Sequence, residues 1–445
     1  MGSPVPHVAR LGGRLKHYRL RDVPHLSLSP LGRARIREGI GYRSWPVASR
    51  IAWLHRRTLA RSTRVIAVVG SLGKTSTRRA ITASLALPPN ERHFNAWDAV
   101  VRSVVSIRPG QRHAAIEVGI GDKGQMRPYA AVVRPDVTVV TSIASEHHRS
   151  LGTLDVTRDE KAWMVRALGP GGVAVLNGDD PNVMWMAGES RARVVTFGFG
   201  AHCDIRAVDL ALDWPRGMRF RIVASGRSHD VTMRLLGRHM VYPALAAFAV
   251  AALEGIAPEV AIERIGALPP SGARMEPVPL PGGAFLLRDE FKSTTESIDA
   301  ALDLLEAVPG RRIVVLGGIS EPVGPQWRAY RRIAGRVGRV ADRFVICGHC
   351  HEKYRPGAIA AGMAPEQIIH AAHSPRRAAE LVAAMVQPGD VVLIKGRDTE
   401  KLERIPLILA GREVRCDIET CSVRTVSCAS CPMLERGWKA GRGPP

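Results

Sequence analysis

Residues 65–81, VIAVVGSLGKTSTRRAI, place a short apolar run, a glycine-bounded loop and a helix start in immediate succession. An apolar run that ends at Gly70 is typical of a buried parallel strand. The loop after such a strand and the N-terminus of the next helix hold phosphate oxygens on backbone N–H groups. Lys74 is placed to neutralise the outer phosphates, and the Thr75 hydroxyl to ligate Mg²⁺. The predicted phosphate-binding residues are Gly70, Ser71, Leu72, Gly73, Lys74, Thr75 and Ser76.

Strand and helix patterns alternate along most of the chain in two blocks. The strand-like runs HAAIEVG, DVTVVTSIA and VAVLNGDD follow the loop, and a second block from about Ser271 contains AFLLRDEF, RRIVVLGG, RFVICG and DVVLIKG. This alternation predicts an α/β protein: a P-loop doubly wound central domain followed by a smaller Rossmann-like α/β domain. The expected segments are a basic extension (1–62), the central domain (63–268), the second domain (269–412) and a Cys-rich tail (413–445).

Polar residues stand where the predicted strands of the first block end. Glu117 ends HAAIEVG, His147 follows DVTVVTSIA, and Asn177 ends VAVLN. The carboxyl ends of parallel strands meet at one sheet edge, where ligands bind in open α/β sheets. An acidic residue and a histidine at that edge suit metal ligands, although many strands end in glutamate and a lone histidine is more often structural.

The loop, the strand-end residues and Lys161 resemble the Mur ligase family in order and spacing. The form G-x-x-G-K-[ST]-[ST], with Val68 at the first glycine position of the longer pattern, is similar to the loop of Mur ligases and folylpolyglutamate synthases. The resemblance implies that ATP activates a carboxylate as an acyl phosphate, which an amine converts to an amide with release of ADP and phosphate. It also implies Mg²⁺ ligands at Thr75, Glu117, His147 and a carbamylated Lys161. A surface lysine on an amphipathic helix is the alternative for Lys161.

The second block carries further family-like positions. SGARMEPV places Arg274 where the family has an arginine near the γ-phosphate. LLRDEFKSTTES resembles a segment of the D-alanyl-D-alanine-adding members, with Asp289, Phe291 and Ser297 matching. The resemblance thus implies nucleotide contacts from Asn177, Arg274 and Asp289, and catalytic roles for Lys74, His147, Lys161 and Arg274.

Several positions depart from the family pattern. Residues 292–295, KSTT, replace N-A-N-P beside the expected nucleotide and amine sites, and Met240 and Pro243 replace two asparagines of a helix start. These changes keep open a non-catalytic nucleotide-binding protein. The resemblance covers about 65 to 409, so the family's N-terminal UDP-binding domain is expected to be missing. That favours carboxylates other than the usual cell-wall precursor, and leaves the identity of the carboxylate and of the amino-acid amine open.

A net charge of +22 suggests an anionic partner and raises the alternative of a nucleic-acid-associated P-loop ATPase. The basic residues are spread along the chain and aromatics make up only 5%, which argues against nucleic acid. Residues 1–20 lack the apolar core of a secretory signal and no apolar run is long enough to cross a bilayer, so a cytoplasmic protein is expected. The oligomeric state is left open.

Residues 44–61 read as an amphipathic helix with Val47, Ile51, Leu54 and Leu59 on its apolar side. One interpretation is contact with an anionic membrane surface. The other, which we favour because the segment leads directly into a strand, is packing against the following domain.

The cysteines fall into two groups. Cys416, Cys421, Cys428 and Cys431 crowd the C-terminal tail, where four thiolates and no separate core suggest Zn²⁺ or an iron–sulfur cluster. Free thiols are the alternative. Residues 347–351, CGHCH, match the haem c attachment pattern, but no export signal accompanies them, so we expect an accidental match.

Overall fold

The computed structural model describes residues 23–28, 30–89, 97–146, 148–421, 423 and 426–437. The chain divides into two compact units. The first comprises the described residues up to Ala211 with Met218–Arg234 and His239–Leu268; the second comprises Leu212–Gly217, Leu235–Arg238 and the described residues from Pro269 onwards. Each unit is an α/β structure with a largely parallel sheet, as the alternating pattern predicts.

The first unit is built on an eight-stranded sheet in the order β2-β1-β3-β4-β5-β6-β7-β8. Its strands are β1 (Arg64–Val69), β2 (His113–Glu117), β3 (Val137–Val140), β4 (Val173–Asn177), β5 (Arg193–Gly198), β6 (Ile205–Asp213), β7 (Gly217–Ala224) and β8 (Arg227–Met233). Strand β1 lies between β2 and β3 and is parallel to both, whereas β7 and β8 are antiparallel. The strand that leads into the predicted phosphate loop is therefore interior, which explains its uninterrupted apolar sequence.

Helices cover this sheet. They are α1 (Val23–Ser27), α2 (Pro30–Arg43), α3 (Trp45–Arg57), α4 (Lys74–Ser84), α5 (Asp98–Val105), α6 (Met126–Val133), α7 (His148–Leu151), α8 (Leu154–Arg166), α9 (Pro181–Trp185), α10 (Val241–Leu253) and α11 (Pro258–Gly266). Helix α10 is apolar around most of its circumference, and it is correspondingly buried and packed against α4. Within the described residues, no helix combines the length and the apolarity that a bilayer span requires.

Helix α3 packs against the first unit, but through the side opposite to the predicted apolar one. Trp45 is buried and makes edge contacts with Trp97 and Tyr129, with ring centroids 5.5 and 5.2 Å apart. Buried Arg56 bonds Asp136 at 2.8 Å. The predicted apolar residues remain exposed: Val47 (62%), Ile51 (56%), Leu54 (56%) and Leu59 (59%).

The second unit has a six-stranded sheet in the order β13-β12-β11-β14-β10-β9, parallel except for the antiparallel edge strand β9. Its strands are β9 (Glu276–Pro279), β10 (Phe285–Asp289), β11 (Arg312–Leu316), β12 (Arg343–Ile346), β13 (Ile368–His370) and β14 (Val391–Lys395). Its helices are α12 (Thr295–Ala307), α13 (Gln326–Val340), α14 (His351–Ala360), α15 (Pro375–Met385), α16 (Arg404–Leu409) and α17 (Met433–Arg436).

The Cys-rich tail shares a core with the second unit. Val414, Cys428 and Leu434 are buried together against Leu407 and Ile408 of α16. The tail therefore does not depend on a metal ion to bury apolar surface, which corrects the premise of the predicted zinc or iron–sulfur site.

The geometry of the tail thiols points the same way. Although all four cysteines lie among the described residues, no three of their sulfur atoms come within 4.8 Å of one another. The predicted site at Cys416, Cys421, Cys428 and Cys431 is therefore not confirmed.

Candidate active site

The predicted phosphate loop joins β1 to α4 and is held tightly against the segment that follows β3. Gly70 has φ 141° and Gly73 has φ 80°, both in the range that favours glycine. A Cβ atom on Gly70 would come within 2.0 Å of Thr141 Oγ1, so only glycine fits there. The Thr141 hydroxyl donates to Leu72 O at 2.6 Å, and Ser71 N donates to Ser142 O at 2.7 Å. These hydrogen bonds fix the loop against the segment that follows β3.

Lys74 lies across this loop as the first residue of α4. Its Nζ donates to Gly70 O at 2.9 Å and Ser71 O at 2.8 Å, and pairs with Glu146 Oε2 at 3.0 Å. The Lys74 side chain is buried and that of Glu146 nearly so. Sequence reasoning missed Glu146; its place after a strand, next to His147, was the available signal.

Thr75 and Glu117 meet at the carboxyl ends of β1 and β2. The Thr75 hydroxyl donates to Glu117 Oε1 at 3.1 Å, and Glu117 Oε2 lies 3.7 Å from Nε of the buried Arg78. Two oxygen ligands in adjacent positions of an octahedral Mg²⁺ shell, each at about 2.1 Å, lie about 3 Å apart. The hydroxyl and carboxylate therefore fit such an ion without rearrangement.

Lys161 is buried on α8, with its ammonium against the phosphate loop. Its Nζ donates to Ser71 Oγ at 2.9 Å, and that hydroxyl also accepts from Ala144 N at 2.9 Å and donates to Ala144 O at 3.1 Å. Thr153 caps α8 by accepting from Val156 N at 3.2 Å. The alternative of a surface lysine is therefore wrong, since Lys161 is only 2% exposed.

Asn177, at the end of β4, contacts the segment after β3 that holds the phosphate loop. Its amide nitrogen donates to Thr141 O at 2.8 Å and its amide oxygen accepts from Asp179 N at 3.1 Å. Because Thr141 in turn bonds Leu72, Asn177 reaches the phosphate loop through one intermediate residue. His147 lies outside the described residues, so its predicted role stays a prediction.

In the second unit, Asp289 stands at the end of β10 beside a buried lysine. Its carboxylate pairs with Lys395, which also donates to Lys292 O at 2.7 Å. Burial raises the pKa of Asp289, and the charges of Lys395 and Arg274 oppose that shift in part. The Arg274 guanidinium stacks over the Phe291 ring with its carbon 4.5 Å from the centroid.

Two family models match the chain in sequence order. Residues 68–251 match the Mur ligase middle domain, and residues 273–397 match the Mur ligase glutamate ligase domain. The chain belongs to the Mur ligase family. It is therefore an ATP-dependent ligase that forms a C–N bond, and ATP with Mg²⁺ are the cofactors that Mur ligases use.

Mur ligases that are named for the addition of D-alanyl-D-alanine are similar to this chain along most of its length. The UDP-N-acetylmuramoyl-tripeptide–D-alanyl-D-alanine ligase of Bacillus subtilis (strain 168) is 27% identical over 351 residues, 77% of this chain and 75% of the relative. The fold matches that of MurF from Acinetobacter baumannii with a TM-score of 0.74, at 21% identity, covering 82% of this chain and 80% of the other. MurF ligase from Thermotoga maritima, solved with ADP, gives 0.71 at 19% identity and covers 83% and 84%.

The altered helix start of this Mur ligase uses a different polar contact. Met240 and Pro243, which replace the expected asparagines, are both buried. Between them, the Tyr242 hydroxyl donates to Asp179 Oδ2 at 3.0 Å, and its ring meets Phe199 edge-on with centroids 4.7 Å apart. A tyrosine thus ties α10 to the strand-end segment after β4.

The C-x-x-C-H segment is integrated into the second unit. Cys347 is 4% and Cys350 5% exposed, and Cys350 Sγ lies 3.6 Å from the Tyr330 hydroxyl. Burial raises the pKa of the Cys347 thiol to about 12. Buried, protonated thiols are inert toward covalent attachment, which agrees with the expected accidental match.

Proposed function

We propose that this Mur ligase binds MgATP at residues 70–75 and uses it to couple a peptide-like carboxylate to an amino-acid or dipeptide amine. One observation carries the proposal: Lys74, Thr75, Glu117 and Lys161 come from three separate elements, and each contacts the same loop or its first helical turn. Because ATP is an intracellular metabolite, we place the reaction in the cytoplasm.

In phosphoryl transfer the protein forms few covalent bonds itself and acts mainly by stabilising the charge on the transferring phosphoryl group. The substrate carboxylate attacks the γ-phosphorus, which forms an acyl phosphate and releases ADP. The amine then attacks the acyl carbon, the phosphate leaves, and a proton lost from nitrogen completes the amide. Loop N–H groups and Lys74 hold the phosphates, and the Thr75–Glu117 pair is placed to hold Mg²⁺, which offsets charge on the transferring group.

Lys161 fits the carbamate role that the family resemblance implies. A neutral amine that takes up CO₂ loses a proton and becomes an anionic carbamate. The Lys161 side chain is almost fully buried next to Ser71, so the new carboxylate would lie beside the loop and not in bulk water. An unmodified ammonium beside the loop would repel a Mg²⁺ ion bound there, which favours the carbamate.

The substrates follow from the relatives and from the second unit. The B. subtilis relative is named for UDP-N-acetylmuramoyl-tripeptide and D-alanyl-D-alanine. D-Alanyl-D-alanine is the first candidate amine here, and a carboxylate other than the usual cell-wall precursor stays a prediction. Asp289 and Phe291 keep the pattern of that group, whereas residues 292–295 differ. We therefore expect a related but altered amine preference. The roles of Arg274 and Asp289 at the nucleotide stay predictions.

The test is ADP release by the purified full chain with MgATP and bicarbonate, in the presence of pooled carboxylates and amines. We expect release that requires both partners and a product whose mass matches the amide. Lys74→Met should abolish release, whereas exposed Lys123→Met should not. Release without either partner would overturn the proposal, and stimulation by generic DNA or RNA would support the P-loop ATPase alternative.

The carbamate has its own test. With ¹³C-labelled bicarbonate, the wild-type chain should show one carbamate resonance that Lys161→Ala removes, together with ligation. Excess short-chain carboxylic acid should restore part of the activity of Lys161→Ala, because it returns an anion to the cavity. Full activity of Lys161→Ala without any added acid would contradict the assignment.

A further inference from the structure

Two histidines and a glutamate from three separate segments meet at the surface of the second unit. His349 follows β12, His373 follows β13 and Glu419 lies in the C-terminal tail. One potential ligand atom from each residue lies within 4.8 Å of the other two. His349 Nε2 is 3.9 Å from Glu419 Oε2, and the two imidazole rings have centroids 3.4 Å apart.

The 3.9 Å between His349 Nε2 and Glu419 Oε2 is close to the spacing of ligand atoms around a tetrahedral ion, whereas the 3.4 Å between the ring centroids is a stacking distance. Ligands at about 2.1 Å from Zn²⁺ lie about 3.4 Å from one another. His349 and Glu419 are 81% and 61% exposed, so their side chains have room to turn toward a shared ion and the His349 ring has room to move off the His373 ring. Imidazole with carboxylate is a ligand set for Zn²⁺ and other divalent transition ions, and not one that Mg²⁺ prefers.

A second group of potential ligands, in the first unit, does not share this freedom. Asp179, His202 and Cys203 also lie within 4.8 Å of one another. However, Asp179 already accepts hydrogen bonds from Phe199 N at 2.6 Å and Gly200 N at 2.9 Å. Burial and the Asp179 charge raise the pKa of the Cys203 thiol to about 11, so a thiolate is disfavoured. This group is a hydrogen-bonded turn, and it supplies a matched control.

We propose that His349, His373 and Glu419 form a three-ligand site for a divalent transition ion, with Zn²⁺ as the first candidate and water completing the shell. The site joins the tail to loops at the carboxyl ends of two parallel strands. The site shares no residue with the Mg²⁺ site proposed for the ligase reaction. Its existence does not depend on which substrates the enzyme uses.

The test uses Zn²⁺ and the full chain, with the tail thiols removed as competitors. In a background with Cys416, Cys421, Cys428 and Cys431 changed to Ser, calorimetry should show one equivalent of Zn²⁺ bound. His373→Asn or Glu419→Gln should weaken binding about tenfold or more, whereas His202→Asn should not. Matching far-ultraviolet circular dichroism without metal establishes that each variant is folded.

Wild-type protein gives a second readout that does not depend on the serine background. Co²⁺ at a nitrogen and oxygen site lacks the intense near-ultraviolet absorption of a thiolate-bound ion. We expect weak visible bands that His373→Asn removes. Thiolate absorption at one equivalent, or Zn²⁺ affinity that survives His373→Asn but falls with the serines, would assign the ion to the tail cysteines and overturn the proposal. Loss of binding in His202→Asn alone would also overturn it.

A second inference rests on the exposed face of α3. Val47, Ile51 and Leu54 recur at helical spacing and are each more than half exposed. Arg50 is exposed on the same helix, and Arg61 follows it. No acidic residue occurs from 39 to 90, so every charged residue in the sequence around this apolar face is basic.

The geometry points to an anionic lipid bilayer as the occupant of this face. Apolar residues in one stripe with flanking arginines are the pattern of helices that lie in a membrane interface. Arginines near an anionic leaflet add electrostatic attraction to the apolar contact. Residues 1–22 carry five basic residues and one acidic residue, so repulsion between like charges disfavours packing of that segment on the basic face of α3.

Vesicle sedimentation of the full chain tests this inference. We expect binding to phosphatidylcholine vesicles that contain about 30% phosphatidylglycerol, and little binding to phosphatidylcholine alone. Ile51→Glu with Leu54→Glu should lower partitioning about tenfold or more, while Val323→Glu, at a 53% exposed valine of the second unit, should not. Equal sedimentation of wild type and the double variant, or none with anionic vesicles, would overturn the inference.

Discussion

At the scale of single residues, Glu146 is a competitor for the phosphate that Lys74 is expected to bind. Lys74 Nζ is saturated by Gly70 O, Ser71 O and Glu146 Oε2. The two carbonyls orient the ammonium, and the Glu146 carboxylate neutralises it. A β- or γ-phosphate that binds Lys74 must share the ammonium with Glu146, so the strength of this pair is expected to set part of the affinity for ADP and ATP.

Glu146→Gln should therefore tighten nucleotide binding. A partly buried pair of this kind is worth about 0.5–1 kcal/mol, so the Kd for ADP is expected to fall about two- to fivefold. Titration calorimetry with ADP measures it, and Glu189→Gln, which removes a pair with Arg166 in the same unit, is the control. A higher Kd for ADP in Glu146→Gln would indicate that Glu146 helps to hold the metal ion instead.

Glu290 makes the stability of the protein depend on pH. Burial raises the pKa of its carboxyl group to about 7, and among the described residues its Oε2 has no hydrogen-bond partner. The folded state then holds a proton that the unfolded state loses from about pH 4.5 upwards. The free energy of unfolding consequently falls as pH rises from about 4.5 to 7, and the loss is complete above the folded pKa.

Glu290→Gln should remove this dependence, because glutamine resembles the neutral acid. We expect the variant and wild type to differ little near pH 5, and the variant to be more stable by about 1–3 kcal/mol near pH 8. Urea unfolding at both values measures the difference. Glu276→Gln, which also faces Arg288, is the control. A constant difference across pH would show that Glu290 is ionised throughout.

At the scale of elements, the start of α10 shows how one helix replaces a lost polar contact. The Tyr242–Asp179 hydrogen bond joins it to the turn after β4, whose Asn177 supports the phosphate loop. Tyr242→Phe is expected to cost about 1 kcal/mol and to lower Tm by about 2–4 °C. In a variant that already carries Asp179→Asn, adding Tyr242→Phe should lower the free energy of unfolding by less than half as much. Additive losses in that double variant would place the stabilisation elsewhere.

Elements were predicted well from sequence where pattern and position act locally. Thr75 and Glu117 follow adjacent parallel strands, and the structure places them in contact as that position implies. Lys161 was found through family spacing, but its partner Ser71 lies 90 residues away, and no local pattern links them. For α3, periodicity gave the helix but not the buried side, because Trp45 packs with Trp97 and Tyr129, which are distant in sequence.

At the scale of the whole molecule, alternation of strands and helices predicted two α/β units, yet it could not give the strand orders. The interior position of β1, between β2 and β3, is decided by which crossovers pack onto the sheet. The tail was misjudged for a similar reason. Its composition suggested a metal-dependent appendage, whereas a small apolar core and several hydrogen bonds, those of the buried Arg404 among them, join it to the rest of the second unit.

Arg404 is 1% exposed and donates to Cys416 O at 2.9 Å and Ile418 O at 2.6 Å. Its Nε also donates to Lys401 O and its Nη2 to Glu400 O. One planar guanidinium therefore joins the tail to the residues just before α16. Lysine has no equivalent fork. Arg404→Lys should therefore release the tail nearly as fully as Arg404→Ala, whereas Arg415→Ala, at an exposed tail arginine, should not.

The thiols of the tail provide the measurement. Cys428 is 8% exposed and packs with Val414 and Leu434, so in wild type it should react slowly with a thiol-specific dye. Once Arg404 is replaced, that small core loses its attachment, and the Cys428 reaction rate should rise about tenfold or more while Cys347, inside the second sheet's core, stays protected. Unchanged protection of Cys428 would mean that the apolar core, rather than the arginine, holds the tail.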